Sequence, residues 1–80
     1  MHYIYIIKST DHPDKFYAGY TLDVQARLKA HNEGSSIYTK DYKSWVLVWH
    51  CVFENKSRAM EFEKYLKSHS GRAFSKKRLW

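Results

Sequence analysis

Residues 3–21 read YIYIIKSTDHPDKFYAGYT, in which a polar segment separates two apolar and aromatic runs. Both runs are rich in the β-branched and aromatic side chains that favour strands. The segment Asp11-His12-Pro13-Asp14 between them has the composition of a turn. This stretch predicts a β-hairpin with strands over residues 3–8 and 16–21, and it raises the question why both strands carry tyrosines where valine or isoleucine would fill a sheet.

The hairpin leads directly into a helical pattern. Thr21 is a candidate N-cap, and the spacing i, i+3, i+4 and i+7 is shared by Val24, Arg27, Leu28 and His31. The segment Asn32-Glu33-Gly34 ends this pattern, because glycine commonly follows a helix C-terminus. A first helix is therefore expected over roughly residues 22–32.

A third strand is expected after a loop. Residues 33–44 contain Gly34-Ser35-Ser36 and mixed charges, which are typical of a loop. Residues 45–53 are aromatic and β-branched, which favours a strand. Three aromatic residues of this strand recur at even spacing and are expected on one face, in the core: Trp45, Trp49 and Phe53.

A second helix and a basic tail complete the chain. Asn55 or Ser57 can cap a helix that ends at Lys67. Its apolar stripe consists of Ala59, Phe62 and Leu66. The predicted fold is a single α/β (α+β) domain over residues 1–80, in the order β-β-α-β-α with a short C-terminal helix or tail. Helices flank a small, three-stranded, mainly antiparallel sheet, because a hairpin cannot bury its faces alone.

Charge and cysteine usage narrow the class of protein. Fourteen Lys and Arg against eight Asp and Glu give a net charge of +6 and a pI near 9.5, which favours a polyanionic partner such as nucleic acid. Cys51 is the only cysteine, so no intrachain disulfide can form and a reducing compartment, the cytoplasm, is expected. No apolar segment approaches the roughly 18 residues that span a bilayer, so no membrane is expected as a partner.

Charged side chains interrupt the apolar stripes of both predicted helices. Arg27 and His31 lie one turn apart on the stripe of the first helix. Glu63 shares the stripe of the second helix, whereas Glu61 points away from it. A buried charge is costly unless it is paired or bound to a metal. These residues alone leave two interpretations open. The first is structural, in which Arg27 and Glu63 form an ion pair or snorkel at the edge of the stripe. The second is a functional site.

Five segments, in order along the chain, resemble the GIY-YIG nuclease superfamily. The segments are Tyr3-Ile4-Tyr5, Tyr17-Ala18-Gly19, Tyr20-Thr21, Arg27-Leu28 with His31-Asn32, and Glu63-Lys64-Tyr65-Leu66-Lys67. Tyr38-Thr39 in the loop adds to the likeness, which covers essentially the whole chain. Within the superfamily the chain is most similar to small stand-alone, UvrC-like domain proteins. Tyr3 replaces the glycine of the first motif and Ala18 the isoleucine of the second, and neither change removes a chemical group.

The resemblance implies a reason for the tyrosines. It implies hydrolysis of phosphodiester bonds with one divalent metal ion, Mg²⁺ or Mn²⁺. By motif position Tyr17, or as second choice Tyr5, activates the attacking water, and Tyr5 otherwise holds Tyr17 or the water in line. A phenol suits this role only where a metal ion and a guanidinium lower its pKa from about 10.

The resemblance also implies roles for the charged residues of the two helices. Arg27 neutralises charge on the transition state, and Glu63 is the metal ligand, with water and substrate phosphate completing the shell. His31 and Lys40 are weaker candidates for orienting the substrate or assisting proton transfer.

The expected function is that of a metal-dependent endonuclease that cuts DNA in repair, recombination or related processing. Phosphate contacts with little sequence specificity are expected from Lys40, Arg72, Lys76, Lys77 and Arg78. Two alternatives are a catalytically silent nucleic-acid-binding module and a basic partner of a larger DNA-repair assembly.

Overall fold

The computed structural model describes residues 1–37, 39–42 and 44–68. The strands are β1 (His2–Ser9), β2 (Phe16–Thr21) and β3 (Trp45–Phe53), and the helices are α1 (Val24–Asn32) and α2 (Lys56–Lys67). A 3₁₀ helix, Lys40–Tyr42, precedes β3. The predicted order β-β-α-β-α is therefore confirmed. The predicted C-terminal helix or tail lies outside the described residues.

The sheet is antiparallel throughout, with strand order β2-β1-β3. The central strand, β1, pairs with both neighbours, so that Tyr5 lies between Gly19 of β2 and His50 of β3. Because β1, the first strand of the chain, pairs with both edge strands, the N-terminal stretch quoted above contains the central strand of the sheet.

Each face of the sheet is covered by one helix. On one face Tyr5, Ile7 and Trp45 pack against the apolar side of α1. On the other face Ile4 and Ile6 pack against α2. The middle of β1 is buried on both sides, which explains why its sequence is almost continuously apolar. Neither helix of the described chain is long and apolar enough to cross a membrane.

A β-bulge divides β3 between the two faces. Ile6 pairs with Trp49, but the next residue, Ile7, pairs with Leu47. The extra residue, Val48, changes the alternation of side chains at this point. Trp45 therefore faces α1, whereas Trp49 and Phe53 face α2. The prediction that all three aromatic residues share one face is wrong, because even spacing preserves a face only in an uninterrupted strand.

The helix starts follow local hydrogen bonding. The Asp23 carboxylate accepts a hydrogen bond from the backbone N–H of Ala26 at 3.1 Å and caps α1. The prediction of Thr21 as the cap is wrong by two residues, because its hydroxyl instead bonds to the backbone of Asp23. Asn55 caps α2, as predicted, by accepting from the backbone N–H of Arg58 at 3.3 Å.

Gly19 lies directly under the ring of its cross-strand partner. A Cβ atom on Gly19 would lie 2.5 Å from the hydroxyl oxygen of Tyr5 and 2.7 Å from its Cζ atom. The positive-φ glycine of the described chain is Gly34, so the backbone conformation of Gly19 does not itself require glycine. The absence of a side chain is needed here to make room for the Tyr5 ring.

Gly19→Ala is expected to lower the free energy of unfolding by about 1–3 kcal/mol, the usual cost of forcing an extra carbon into a packed core. The matched test is a double-mutant cycle with Tyr5→Leu, measured by chemical denaturation. Removal of the ring should make Gly19→Ala far less costly. Equal costs in the two backgrounds would contradict the proposed steric conflict.

Candidate active site

Four of the predicted site residues meet on the α1 side of the sheet. Tyr5 of β1 and Tyr17 of β2 have ring centroids 6.4 Å apart. The His31 ring of α1 lies 5.8 Å from the Tyr5 ring and 5.2 Å from the Tyr17 ring. Arg27, one turn before His31, acts electrostatically on both Tyr5 and His31. Three separate elements thus bring two phenols, an imidazole and a guanidinium together.

Tyr5 is the buried tyrosine of this cluster. Its side chain is 2% exposed, and its hydroxyl lies 2.8 Å from Nε2 of His31. Burial raises the pKa of Tyr5 to about 12, although the nearby guanidinium of Arg27 acts to lower it. The guanidinium acts in the expected direction, but desolvation is the larger effect. The lowered phenol pKa that was expected in the presence of a metal ion stays a prediction.

His31 is fully buried and has a partner at each ring nitrogen. Nε2 faces the Tyr5 hydroxyl, and Nδ1 lies 2.7 Å from Oγ1 of Thr39. Burial, with a further contribution from the charge of Arg27, lowers the pKa of His31 to about 4. The imidazole is therefore neutral at pH 7 and carries one proton for two hydrogen bonds.

Thr39 is a buried residue of the site that the sequence did not single out. It belongs to the loop before β3, and its hydroxyl reaches His31 across eight residues of sequence. The indole N–H of Trp45 donates to the carbonyl oxygen of Thr39 at 2.9 Å. In the sequence, Tyr38-Thr39 resembles the family at this segment, but that resemblance assigns no role to the Thr39 hydroxyl.

Glu63 reaches the same region from α2. Its carboxylate lies 3.7 Å from the ammonium of Lys67, and that ammonium lies 5.4 Å from the ring centroid of Tyr17. Since β2 is an edge strand, side chains from α2 can pass around it to Tyr17. Among the described residues, the ion-pair partner of Glu63 is Lys67. The alternative in which Arg27 balances Glu63 in a buried salt bridge is therefore wrong.

The donor set around Glu63 suits one kind of metal ion. The described residues contain no cluster of three or more His, Cys, Asp or Glu side chains that could hold a metal by themselves. The Glu63 side chain is only 18% exposed and offers one carboxylate, whose oxygens are hard donors. Mg²⁺ is commonly held by one or two carboxylates, with water and substrate phosphate completing its shell. The arrangement fits such an ion and does not fit a structural zinc site.

The remaining predicted contacts lie at or beyond the edge of the described site. Lys40 is exposed on the 3₁₀ helix and directly follows Thr39. Four basic tail residues, which were predicted to contact phosphates, lie outside the described residues: Arg72, Lys76, Lys77 and Arg78.

The depressed pKa of His31 predicts a pH-dependent stability. A histidine that binds its proton more weakly in the folded than in the unfolded state stabilises the fold fully above the unfolded pKa of 6.5, and this contribution is lost as pH falls toward about 4. The free energy of unfolding should fall by about 2 kcal/mol between pH 7.5 and 5. His31→Gln should remove most of this dependence in urea titrations, whereas His50→Gln, at an exposed position, should keep it. The same slope in both variants would contradict the assignment.

Comparisons with known proteins agree with the fold and show the family. A family model described as the GIY-YIG catalytic domain matches residues 1–78. A UPF0213 protein of Staphylococcus haemolyticus is 43% identical over 70 residues, which cover 86% of this chain and 83% of the relative. A UPF0213 protein of Staphylococcus aureus is 37% identical with the same coverage of both chains, 86% and 83%. The solution NMR structure of a UPF0213 protein from Bacillus halodurans is similar with a TM-score of 0.56 and 36% identity, covering 94% of this chain and 79% of that one. The chain therefore belongs to the GIY-YIG family.

Proposed function

We propose that this protein is a metal-dependent endonuclease that hydrolyses phosphodiester bonds in DNA. The observation that carries the proposal is the convergence of Tyr17, Arg27 and His31 beside a mostly buried carboxylate, Glu63, at one edge of the sheet. Phosphodiester hydrolysis needs a base for water, a positive charge at the phosphate and a metal ligand, and these side chains offer all three. As in small stand-alone, UvrC-like domains, a single domain would carry the chemistry.

The different burial of the two tyrosines supports Tyr17 as the group that activates water. Tyr17 is partly exposed, so a water molecule and a phosphate can reach its hydroxyl. Tyr5 is 2% exposed, its hydroxyl is hydrogen-bonded to His31, and the charge of Arg27 acts on it. Tyr5 therefore suits a positioning role, in which it holds the guanidinium and the imidazole beside Tyr17.

Arg27 is suited to contact the substrate phosphate. Its charge acts on Tyr5, and its guanidinium has five N–H donors that can be offered to a phosphate oxygen. The partial exposure of Arg27 leaves a path from solvent. A planar donor fork of this kind neutralises charge that develops in the transition state.

Glu63 is the residue that would hold Mg²⁺ or Mn²⁺. When bound, the ion would polarise the phosphate and offset its charge. The ammonium of Lys67 shares this carboxylate and, being 45% exposed on the side chain, can move into solvent. Because Glu63 is one ligand, firm metal binding should require the phosphate of the substrate as well.

DNA binding is proposed to rest on charge rather than on reading of bases. The net charge of +6 favours the phosphate backbone, with Lys40 and the tail residues Arg72, Lys76, Lys77 and Arg78 as contacts. Little sequence specificity is expected. Repair or recombination in the reducing cytoplasm is the setting we propose, since Cys51 is the only cysteine.

A second candidate function is nucleic-acid binding without cleavage, alone or within a repair assembly. The Glu63–Lys67 pair favours it, because a carboxylate that already has a cation at 3.7 Å can lie beside DNA phosphates without a metal ion. Cleavage assays on plasmid, branched and single-stranded DNA separate the two functions. DNA cleavage with Mg²⁺ or Mn²⁺ that stops when a chelator is added supports the endonuclease. DNA binding without cleavage of any of these substrates supports the nucleic-acid-binding module.

Glu63→Gln is expected to abolish cleavage and to leave DNA binding and stability nearly unchanged. The loss of a partly exposed i,i+4 ion pair costs less than about 1 kcal/mol, so the fold should survive. Arg27→Ala should likewise remain folded and inactive. Glu61→Gln is the matched control, because Glu61 lies on the same helix but is exposed.

The measurements are single-turnover cleavage with Mg²⁺, DNA binding in chelator, and thermal unfolding. If Glu61→Gln is as inactive as Glu63→Gln, the loss of cleavage reflects a general effect of the charge of α2 rather than a specific role of Glu63. Full cleavage by Glu63→Gln, or a large fall in its melting temperature, would contradict the role of Glu63 as metal ligand.

A further inference from the structure

A chain of buried polar groups runs from Arg27 to the loop before β3. The guanidinium charge of Arg27 acts on the Tyr5 hydroxyl, which lies 2.8 Å from Nε2 of His31. Nδ1 of His31 in turn lies 2.7 Å from the Thr39 hydroxyl. Tyr5, His31 and Thr39 are each at most 2% exposed, so water cannot readily replace these partners.

The chemistry of Arg27 sets the direction of the hydrogen bonds. The positive charge beside the Tyr5 hydroxyl favours the orientation in which the oxygen lone pairs face the guanidinium and the hydroxyl proton points away from it. The hydroxyl proton of Tyr5 is then available for Nε2 of His31, which must be unprotonated to accept it. A neutral imidazole with a bare Nε2 carries its proton on Nδ1, where the Thr39 hydroxyl oxygen is placed to accept.

We infer that Thr39 is a positioning residue of the nuclease site, whose hydroxyl fixes His31 in the Nδ1–H tautomer and so keeps the Tyr5 oxygen turned toward Arg27. The inference rests on the proposed function for its catalytic consequence. Thr39 itself contacts neither substrate nor metal in this role. It acts through His31 and Tyr5 on the guanidinium that is to meet the phosphate.

The backbone of Thr39 anchors the loop, and this structural role is separate from the role of the Thr39 hydroxyl. The backbone N–H donates to the carbonyl of Ser36 at 3.3 Å, and the backbone carbonyl accepts from Trp45 at 2.9 Å. Within the described residues, the hydrogen bond of the Thr39 side chain is the one to His31. Removal of the hydroxyl therefore leaves the loop anchored.

Loss of the hydroxyl should reverse the hydrogen bonds. Valine has nearly the shape of threonine but cannot accept the Nδ1 proton, and a buried N–H without a partner is costly. The proton of His31 should then move to Nε2, where it donates to the Tyr5 oxygen. Arg27 loses sole access to that oxygen and with it the orientation that Tyr5 provides.

The test uses the full-length protein with Thr39→Val, Thr39→Ser and a control, Thr10→Val. Serine keeps the hydroxyl, and the Thr10 hydroxyl donates to the Ser44 carbonyl at an exposed loop position. Nitrogen-15 NMR of the imidazoles identifies the tautomer of His31, with His31→Gln to assign its signals. Single-turnover cleavage and DNA affinity are measured on the same proteins.

The expected result is an Nδ1–H imidazole in the wild type, in Thr39→Ser and in Thr10→Val, and an Nε2–H imidazole in Thr39→Val. The cleavage rate constant of Thr39→Val should fall roughly 10- to 100-fold, as with other supporting partners of a site, with unchanged DNA affinity. Thr39→Ser should restore most of the rate.

Two results would overturn the inference. An Nε2–H tautomer in the wild type refutes it even if Thr39→Val does not fold, and full cleavage by a folded Thr39→Val refutes the positioning role. Failure of the proposed function looks different, because the wild type would then show no cleavage while the NMR spectra still decide the tautomer.

Discussion

The Tyr5 hydroxyl is buried between β2 and α1, where only protein groups can satisfy it. The ring reaches this position because Gly19 has no side chain beneath it. Its oxygen lies 2.8 Å from the imidazole of His31 and in the field of the Arg27 guanidinium, two groups of α1. A single buried phenol thus links the sheet to the helix that carries the charged groups. A valine at this position has no polar group and could not make this link.

The double-faced burial of β1 determines where the site lies. One face of the sheet is needed for α1 and the other for α2, so the two helices that carry Arg27 and Glu63 cannot touch through the sheet. A side chain of α2 reaches the edge strand β2, where the ammonium of Lys67 lies 5.4 Å from the ring centroid of Tyr17. A site at an open edge is accessible to an extended polyanion.

The sequence predicted the element order and the α2 cap and stripe, because strand pairing and helical spacing are strongly patterned, whereas the candidate site residues Tyr5, Tyr17, Arg27 and Glu63 came from the family resemblance. It could not predict the bulge at Val48, which depends on how β3 meets β1. Nor could it predict that Thr39 meets His31, or that Lys67 rather than Arg27 pairs with Glu63, because these contacts depend on the path of a loop and on the helix reaching around a sheet edge. The raised pKa of Tyr5 follows from burial, which composition does not reveal.

The division of work between the two tyrosines is the central claim, and the pH dependence of DNA cleavage by Tyr17→Phe and Tyr5→Phe tests it most directly. Both substitutions keep the ring and remove only the hydroxyl. If Tyr17 activates water and Tyr5 positions Arg27 and His31, Tyr17→Phe has no cleavage at any pH, whereas Tyr5→Phe is slower but keeps the wild-type pH profile. Cleavage by Tyr17→Phe at the wild-type rate, with loss of activity in Tyr5→Phe, would contradict the account.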